Sequence, residues 1–184
     1  VADFIAAIGN GGTLYTPKVV EKIEAIDGTI TYQFTPTIRG TLPITGSVLQ
    51  TVQDALVNVV RNPRGTAYYV INPFSTSYKI PVAGKTGTAE SGFGEPHAWF
   101  AGYTYAEKEG KPDIAVVVLV ENGGEGSEVA APIFRRVLEI YFLGKPQVKY
   151  PWESQIGVVP TATPLPTETP LPGTTPEETP TPTP

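Results

Sequence analysis

Ala83-Gly84-Lys85-Thr86-Gly87-Thr88-Ala89-Glu90 is the stretch on which the reading of the whole chain turns. Lys79 to Val82 leads into it with apolar Ile80 and Val82, which predicts an extended approach, and Ser91-Gly92-Phe93-Gly94-Glu95-Pro96 leaves it as a turn or loop. A Lys-Thr-Gly triplet on a strand has a chemical rationale. The lysine is a fixed cation, the threonine brings a hydroxyl, and the glycine lets another group lie close to the backbone. Alone the triplet is a weak signal, met by chance in roughly a few per cent of chains this long. A phosphate-binding loop would need glycine five residues before Gly84, where Lys79 stands, and a helix after the triplet instead of a loop. The sequence excludes that reading.

Composition narrows the field further. The 184 residues suffice for one domain with a core, and 40% hydrophobic content is ordinary for a globular chain. Net charge is −5, of which Glu168, Glu177 and Glu178 near the C-terminus supply three; the remaining −2 argues against a nucleic-acid surface. With no cysteine there is no disulfide, thiolate nucleophile or Cys-based zinc site. There is no signal peptide and no long apolar run. The chain also contains no methionine, so it is expected to be a piece of something longer.

Working outward, Val1, Phe4, Ile5 and Ile8 share a helical face that Gly9-Asn10-Gly11-Gly12 should terminate. Residues 19–26 and 29–34 flank Asp27-Gly28, a two-residue hairpin signal, and predict a peripheral ribbon. Ser47-Val48-Leu49-Gln50 has the form of a capping box, opening a core-facing helix from Val48 to Arg61 that Asn62-Pro63-Arg64-Gly65 stops. Tyr68, Tyr69, Phe74 and Tyr78 fall in a stretch read as an irregular packed connector. His97 to Tyr105 and Ile114 to Glu121 predict a second and a third strand. The short charged link between them favours an antiparallel meander, and the apolar run from Ile114 to Val120 predicts burial on both faces. A last helix should begin near Pro132, stop before Gly144, and cover the sheet with Ile133, Phe134, Val137, Leu138, Ile140 and Tyr141. From about Pro160 the sequence is almost all proline and threonine and should form an extended, solvated tail.

Taken jointly, Ala83 to Glu90, His97-Ala98-Trp99-Phe100-Ala101-Gly102-Tyr103, Glu121-Asn122-Gly123-Gly124 and Ala130-Ala131-Pro132-Ile133 resemble, in order and spacing, the C-terminal half of a penicillin-binding protein transpeptidase domain. The resemblance runs from Val1 to Phe142 and is greatest to the class B, elongation-type group. It implies an α+β fold: a partial, serine β-lactamase-like transpeptidase domain with an antiparallel sheet packed by helices, occupying residues 1–150, and a Pro/Thr-rich disordered tail over 151–184. The family also carries Ser-x-x-Lys and Ser-x-Asn motifs, and neither occurs here. The nucleophilic serine, its base and the first two strands of the sheet are therefore expected upstream, in an N-terminal part of the domain that this chain lacks.

What the resemblance implies chemically is acyl transfer from a D-alanyl-D-alanine stem peptide through a serine acyl-enzyme, with β-lactams as mimics. Lys85 would supply positive potential toward the substrate carboxylate, and the Thr86 and Thr88 hydroxyls would hydrogen-bond it. The Thr88 N–H would be one oxyanion-hole donor, and Gly87 would keep the strand open to the substrate backbone. Lys85 and Thr88 are thus the expected catalytic residues, and Lys85, Thr86, Gly87 and Thr88 the expected substrate-binding ones, with no metal and no cofactor. His97, the only histidine, is expected to hydrogen-bond locally, and Glu90 and Glu121 have nothing in the sequence to bring them together. The implied partners are peptidoglycan stem peptides, β-lactams and, for the intact parent, cell-wall synthesis membrane proteins; nucleic acid is excluded. The implied location is the extracytoplasmic face of the bacterial plasma membrane. The alternatives are another enzyme of the same superfamily, a D,D-carboxypeptidase or serine β-lactamase, or a non-enzymatic module, a β-lactam sensor or degenerate interaction domain.

Overall fold

In the computed structural model, which describes residues 1–90, 92 and 94–155, helix α1 (Ala2–Gly9) opens the chain. Asn10 N–H donates to the Ala6 carbonyl at 2.9 Å and Gly12 N–H to that of Ala7 at 2.7 Å. The glycine run can follow because Gly11 and Gly12 take positive φ values of 89° and 104°, open to glycine and strained for other residues. Of the expected apolar face only Ile5 and Ile8 are buried; Val1 and Phe4 are exposed. Strand β1 (Thr13–Tyr15) follows and pairs antiparallel with β4 (Ile38–Thr41), enclosing in sequence the hairpin of β2 (Lys22–Glu24) and β3 (Ile30–Gln33). The turn is longer than the two residues expected. Gly28 N–H donates to Ala25 O, Ala25 N–H to Thr29 O, and the Asp27 carboxylate accepts from Thr29 N–H at 3.0 Å. Gly28, at φ 85°, ends this turn in the left-handed region. Ile23, Ile30 and Tyr32 are all exposed, so the hairpin is peripheral as expected.

Helix α2 (Gly46–Arg61) is capped by Thr45, whose Oγ1 accepts from Val48 N–H at 3.4 Å, so the cap lies two residues before the expected Ser47. Ser47 is already inside the helix, its carbonyl accepting the Thr51 hydroxyl. Residues 68–78, expected as an irregular connector, are in fact helix α3 (Tyr68–Tyr78). Pro73 sits inside it and removes one helical donor, a local signal against helix. Complete burial of Ile71 and Phe74 outweighs that penalty.

The main sheet has three strands, β5 (Val82–Ala89), β6 (His97–Thr104) and β7 (Ala115–Val120), antiparallel in that order, which is the expected meander. A π-helical turn (Gly126–Ala130) then leads into helix α4 (Ala131–Leu143), with Pro132 in its first turn and Gly144 at φ 73° ending it. Strand alternation divides the core. Val82, Phe100 and Val118 face α3 and α4, packing with Ile71, Phe74, Phe134 and Leu138; Ala83 and Tyr103 face α1 and α2, packing with Ile5, Ile8 and Leu49. Helices on both faces of an antiparallel sheet make the α+β architecture that the sequence implied.

Two expectations about burial need correction. In β7 only Val118 is buried and Leu119 is 44% exposed, because Ala115 and Val117 are only partly covered by the α1/α2 cluster and Leu119 packs into neither cluster. In α4 the buried face is Phe134, Arg135, Leu138, Glu139 and Phe142, while Val137 and Ile140 are exposed. Counting apolar residues missed this face because two of its members are charged and satisfy one another. Glu139, wholly buried, accepts from Arg135 Nε at 2.8 Å and Arg136 Nη1 at 2.6 Å, and from the Gln147 N–H at 2.9 Å.

The chain divides into two units, Val1–Lys149 and Tyr150–Pro184. The described part of the second is a 3₁₀ turn over Pro151–Gln155, with the Tyr150 and Trp152 rings stacked at a centroid separation of 5.7 Å. The expected tail from Pro160 lies outside the described residues, as do Ser91 and Phe93 of the loop after β5. Among the described residues no helix is long and apolar enough to cross a membrane.

Candidate active site

Lys85, Thr86, Gly87 and Thr88 all lie on β5, and β5 is an edge strand: β6 pairs with one side of it and no described strand pairs with the other. The register is unbroken, with Lys85 opposite Ala101 and Gly87 opposite Trp99. It extends to Pro81, whose carbonyl accepts from Tyr105 N–H at 3.2 Å. In an antiparallel ladder such hydrogen-bonded pairs alternate with non-bonded ones. Ala83, Lys85 and Gly87 therefore direct their backbone groups to β6, while Gly84, Thr86 and Thr88 direct theirs to the open edge. The Lys85 ammonium donates to the Thr86 carbonyl at 2.6 Å, reaching round to that edge.

The side chains alternate the other way, between faces. Lys85 lies on the α1/α2 face with Ala101, and Thr86 and Thr88 on the α3/α4 face with Phe100. Both hydroxyls already have protein partners. Thr86 Oγ1 lies 2.8 Å from Thr66 Oγ1, and Thr88 Oγ1 donates to Glu125 Oε2 at 2.8 Å. Gly87 has a structural constraint beside any ligand role, since a Cβ there would stand 3.2 Å from that of Trp99. Gly84 is tighter still: its Cβ would meet the Phe100 ring at 2.8 Å.

Beside Lys85 an open cavity of about 320 Å³ is lined by the end of α2 and the turn after it, with Asn58, Asn62, Arg64 and Thr66 among its walls. Sequence reasoning used Asn62-Pro63-Arg64-Gly65 only as a helix stop. Its tightness is visible in Gly65, where a Cβ would lie 2.3 Å from the Val59 carbonyl. That packing brings Arg64 and Thr66 beside β5, and no local signal in the sequence marks it. The cavity therefore has two cations on its lining, Arg64 and Lys85.

The remaining candidates fall where they were expected or outside the site. His97 Nδ1 accepts from Asn122 N–H at 3.0 Å, joining the start of β6 to the turn after β7, a local role. Phe100 is core and Trp99 half-buried on the opposite face, while Glu90 and Glu121 are both exposed. Among the described residues no three His, Asp or Glu side chains group to hold a metal.

With this geometry in hand, comparison with known proteins is specific. The model of the penicillin binding protein transpeptidase domain matches residues 1–139. A peptidoglycan D,D-transpeptidase PbpA from Mycolicibacterium smegmatis is 31% identical over 146 residues, 74% of this chain and 27% of the relative. Among solved structures, a chain from a peptidoglycan synthase complex that coordinates polymerization and crosslinking aligns with TM-score 0.62 at 32% identity, covering 80% of this chain and 24% of that one. Penicillin-binding protein A from M. tuberculosis, solved as an imipenem acyl-enzyme complex, aligns with TM-score 0.55 at 28% identity, covering 74% and 28%. The chain thus spans between about a seventh and about a quarter of the length of the curated relatives it matches. An open-edged β5 bearing Lys-Thr-Gly, sandwiched between helices, and a family match over residues 1–139 lead to one conclusion: the chain belongs to the penicillin-binding protein transpeptidase family.

Proposed function

We propose that this chain is the C-terminal, substrate-orienting half of a class B, elongation-type peptidoglycan D,D-transpeptidase, acting at the extracytoplasmic face of the bacterial plasma membrane beside membrane proteins of wall synthesis. The observation that carries this reading is the open edge of β5, where Thr86 and Thr88 turn their backbone groups outward and the Lys85 ammonium reaches the Thr86 carbonyl. A stem peptide adds to that edge as an extra strand, its backbone bonding to Thr86 and Thr88 and its terminal carboxylate held by the field of Lys85 and Arg64. A serine hydroxyl from the upstream part of the domain attacks the penultimate D-alanine carbonyl. The ester forms, terminal D-alanine leaves as the amine, and an amine of a neighbouring stem then takes the acyl group. The outward N–H of Thr88 serves the oxyanion in both steps. Residues 1–150 form the domain part and 151–184 the Pro/Thr-rich tail. Because residues 1–184 contain no Ser-x-x-Lys, they are inactive alone.

Lys85→Ala in the full-length protein tests the reading. Removing one preorganised electrostatic contact of this kind costs roughly 3–4 kcal/mol, about two to three decades in the second-order rate of acylation by a labelled penicillin. Thermal stability should hold, since Lys85 is exposed and outside the core. Lys85→Arg should recover part of the rate, keeping the charge but altering its reach. An alanine variant acylated within a factor of about three of the parent would remove Lys85 from the mechanism.

A further inference from the structure

The open edge of β5 has opposite charges beside it, three residues apart along the strand. Lys85 and Arg64 stand together beside the cavity. Three residues on, roughly 10 Å along an extended strand, the Thr88 hydroxyl is bonded to the carboxylate of Glu125. A carboxylate only accepts, so the hydroxyl proton of Thr88 is committed to Glu125, and toward a ligand this oxygen can only accept. That makes the Thr88 end of the edge unsuited to a carboxylate and suited to a cation or an N–H.

Glu125 is held in place by its neighbour. Gly126 is pressed onto the strand pair: a Cβ there would stand 2.4 Å from the carbonyl oxygens of both Gly87 and Trp99. The main-chain carbonyl of Glu125 accepts from the N–H groups of Glu128 and Val129 at 3.1 and 3.0 Å, closing the π-helical turn. The residue is thereby fixed over the Gly87–Trp99 pair, next to Thr88, while remaining exposed with its charge available to solvent and ligand.

Orientation completes the argument. With its terminal carboxylate at the Lys85 end, a peptide adding antiparallel to β5 runs its earlier residues past Thr88 toward the end of the strand. We infer that Glu125 is a specificity-determining residue of this site, selecting peptides that carry a side-chain ammonium two to three residues before the terminal carboxylate. The inference rests on the function proposed above and deepens it, because it assigns a charge to the upstream side of the same groove.

The test uses the full-length protein and two peptides, Nα-acetyl-L-Lys-D-Ala-D-Ala with a free ε-ammonium and the same peptide acetylated on Nε. The readouts are D-alanine release and protection against acylation by labelled penicillin. The wild type should prefer the ammonium peptide by about three- to ten-fold, chiefly in KM, the range of a partly exposed charge pair, and the preference should shrink as salt is raised. Glu125→Gln keeps an acceptor for Thr88 and removes the charge. It should abolish the preference, raising KM for the ammonium peptide more than for the acetylated one. Equal use of both peptides by the wild type, or equal slowing of both by Glu125→Gln, would overturn the inference, the second outcome assigning Glu125 a merely structural role. A full-length protein that labelled penicillin does not acylate and that releases D-alanine from neither peptide would instead overturn the proposed function, and this inference with it.

Discussion

Replacing Glu139 by glutamine should be the most damaging isosteric change in the α4 region. The carboxylate is wholly buried and accepts from three donors: Arg135 Nε at 2.8 Å, Arg136 Nη1 at 2.6 Å and the backbone of Gln147 at 2.9 Å. The two guanidinium groups are nearly as enclosed, with side-chain exposures of 10% and 12%. They are anchored elsewhere as well, Arg135 to the Val70 carbonyl at 2.8 Å and Arg136 to that of Val148, so neither can swing out without breaking a second contact. Glutamine keeps the volume but strips the charge, leaving the buried Arg135 guanidinium without the carboxylate that faces it. Breaking a buried ion pair from one side costs about 3–5 kcal/mol, and we expect Glu139→Gln in the intact domain to lose roughly 3–4. At about 2–4 °C per kcal/mol for a unit of this size, that is a fall in Tm of the order of 10 °C. Urea unfolding read by tryptophan fluorescence gives the free energy, and a thermal scan gives Tm. A double variant, Arg135→Met with Glu139→Leu, removes one cation along with the anion and should lose less than Glu139→Gln alone. A loss below about 1 kcal/mol for Glu139→Gln would refute the view that this triad locks α3 and the segment after α4 together.

Two further outcomes follow from close contacts and from one titration. Gly126→Ala places a methyl 2.4 Å from two backbone carbonyls that cannot rotate away, and thermal unfolding should show a loss of about 1–3 kcal/mol; a change within about 0.5 would mean that the π-helical turn is not pressed onto the strands. The Tyr103 hydroxyl is pushed up to about 12, by burial first and by the neighbouring Tyr105 and Asp54 after it. The folded state thus holds this proton more tightly than the unfolded chain, and the contribution is complete below pH ~10 and lost as pH climbs toward ~12. Tyr103 lines open cavities, so solvent screening reduces the expected loss to about 1–2 kcal/mol. Urea midpoints should fall across that window in the wild type more steeply than in Tyr103→Phe, and parallel curves would count against it.

Much of the fold was legible because its signals are local and agree with one another. Apolar alternation and runs marked β5, β6 and β7, and the short charged link fixed their antiparallel order. Gly144 and Pro132 bracketed α4. Several of the failures share a cause: packing overrode a local preference. Pro73 argues against a helix until Ile71 and Phe74 find a closed core. Arg135 and Glu139 fall outside the apolar set that marks the helix face in the sequence, yet they satisfy each other in the interior. Thr66, Arg64 and Glu125 are ordinary loop residues by type, and only the packing of Gly65 and Gly126 brings them to β5.

The same logic explains the form of the site. A strand sends neighbouring side chains to opposite faces, so Lys85 cannot share a face with Thr86 and Thr88, however close they are in sequence. Had β5 lain inside a wider sheet, the lysine and the threonines would have addressed different ligands. What unites them is the open edge, the one place from which both faces are within reach. Lys85 bends to it, as its bond to the Thr86 carbonyl shows, and the backbone of Thr86 and Thr88 already points there. A ligand can therefore engage all three only by lying along the edge as a further strand, which favours an extended peptide over a compact molecule. On the function proposed above, the triplet supplies the chemistry, and the lack of a strand paired to that side of β5 among the described residues leaves its edge open to one extended substrate.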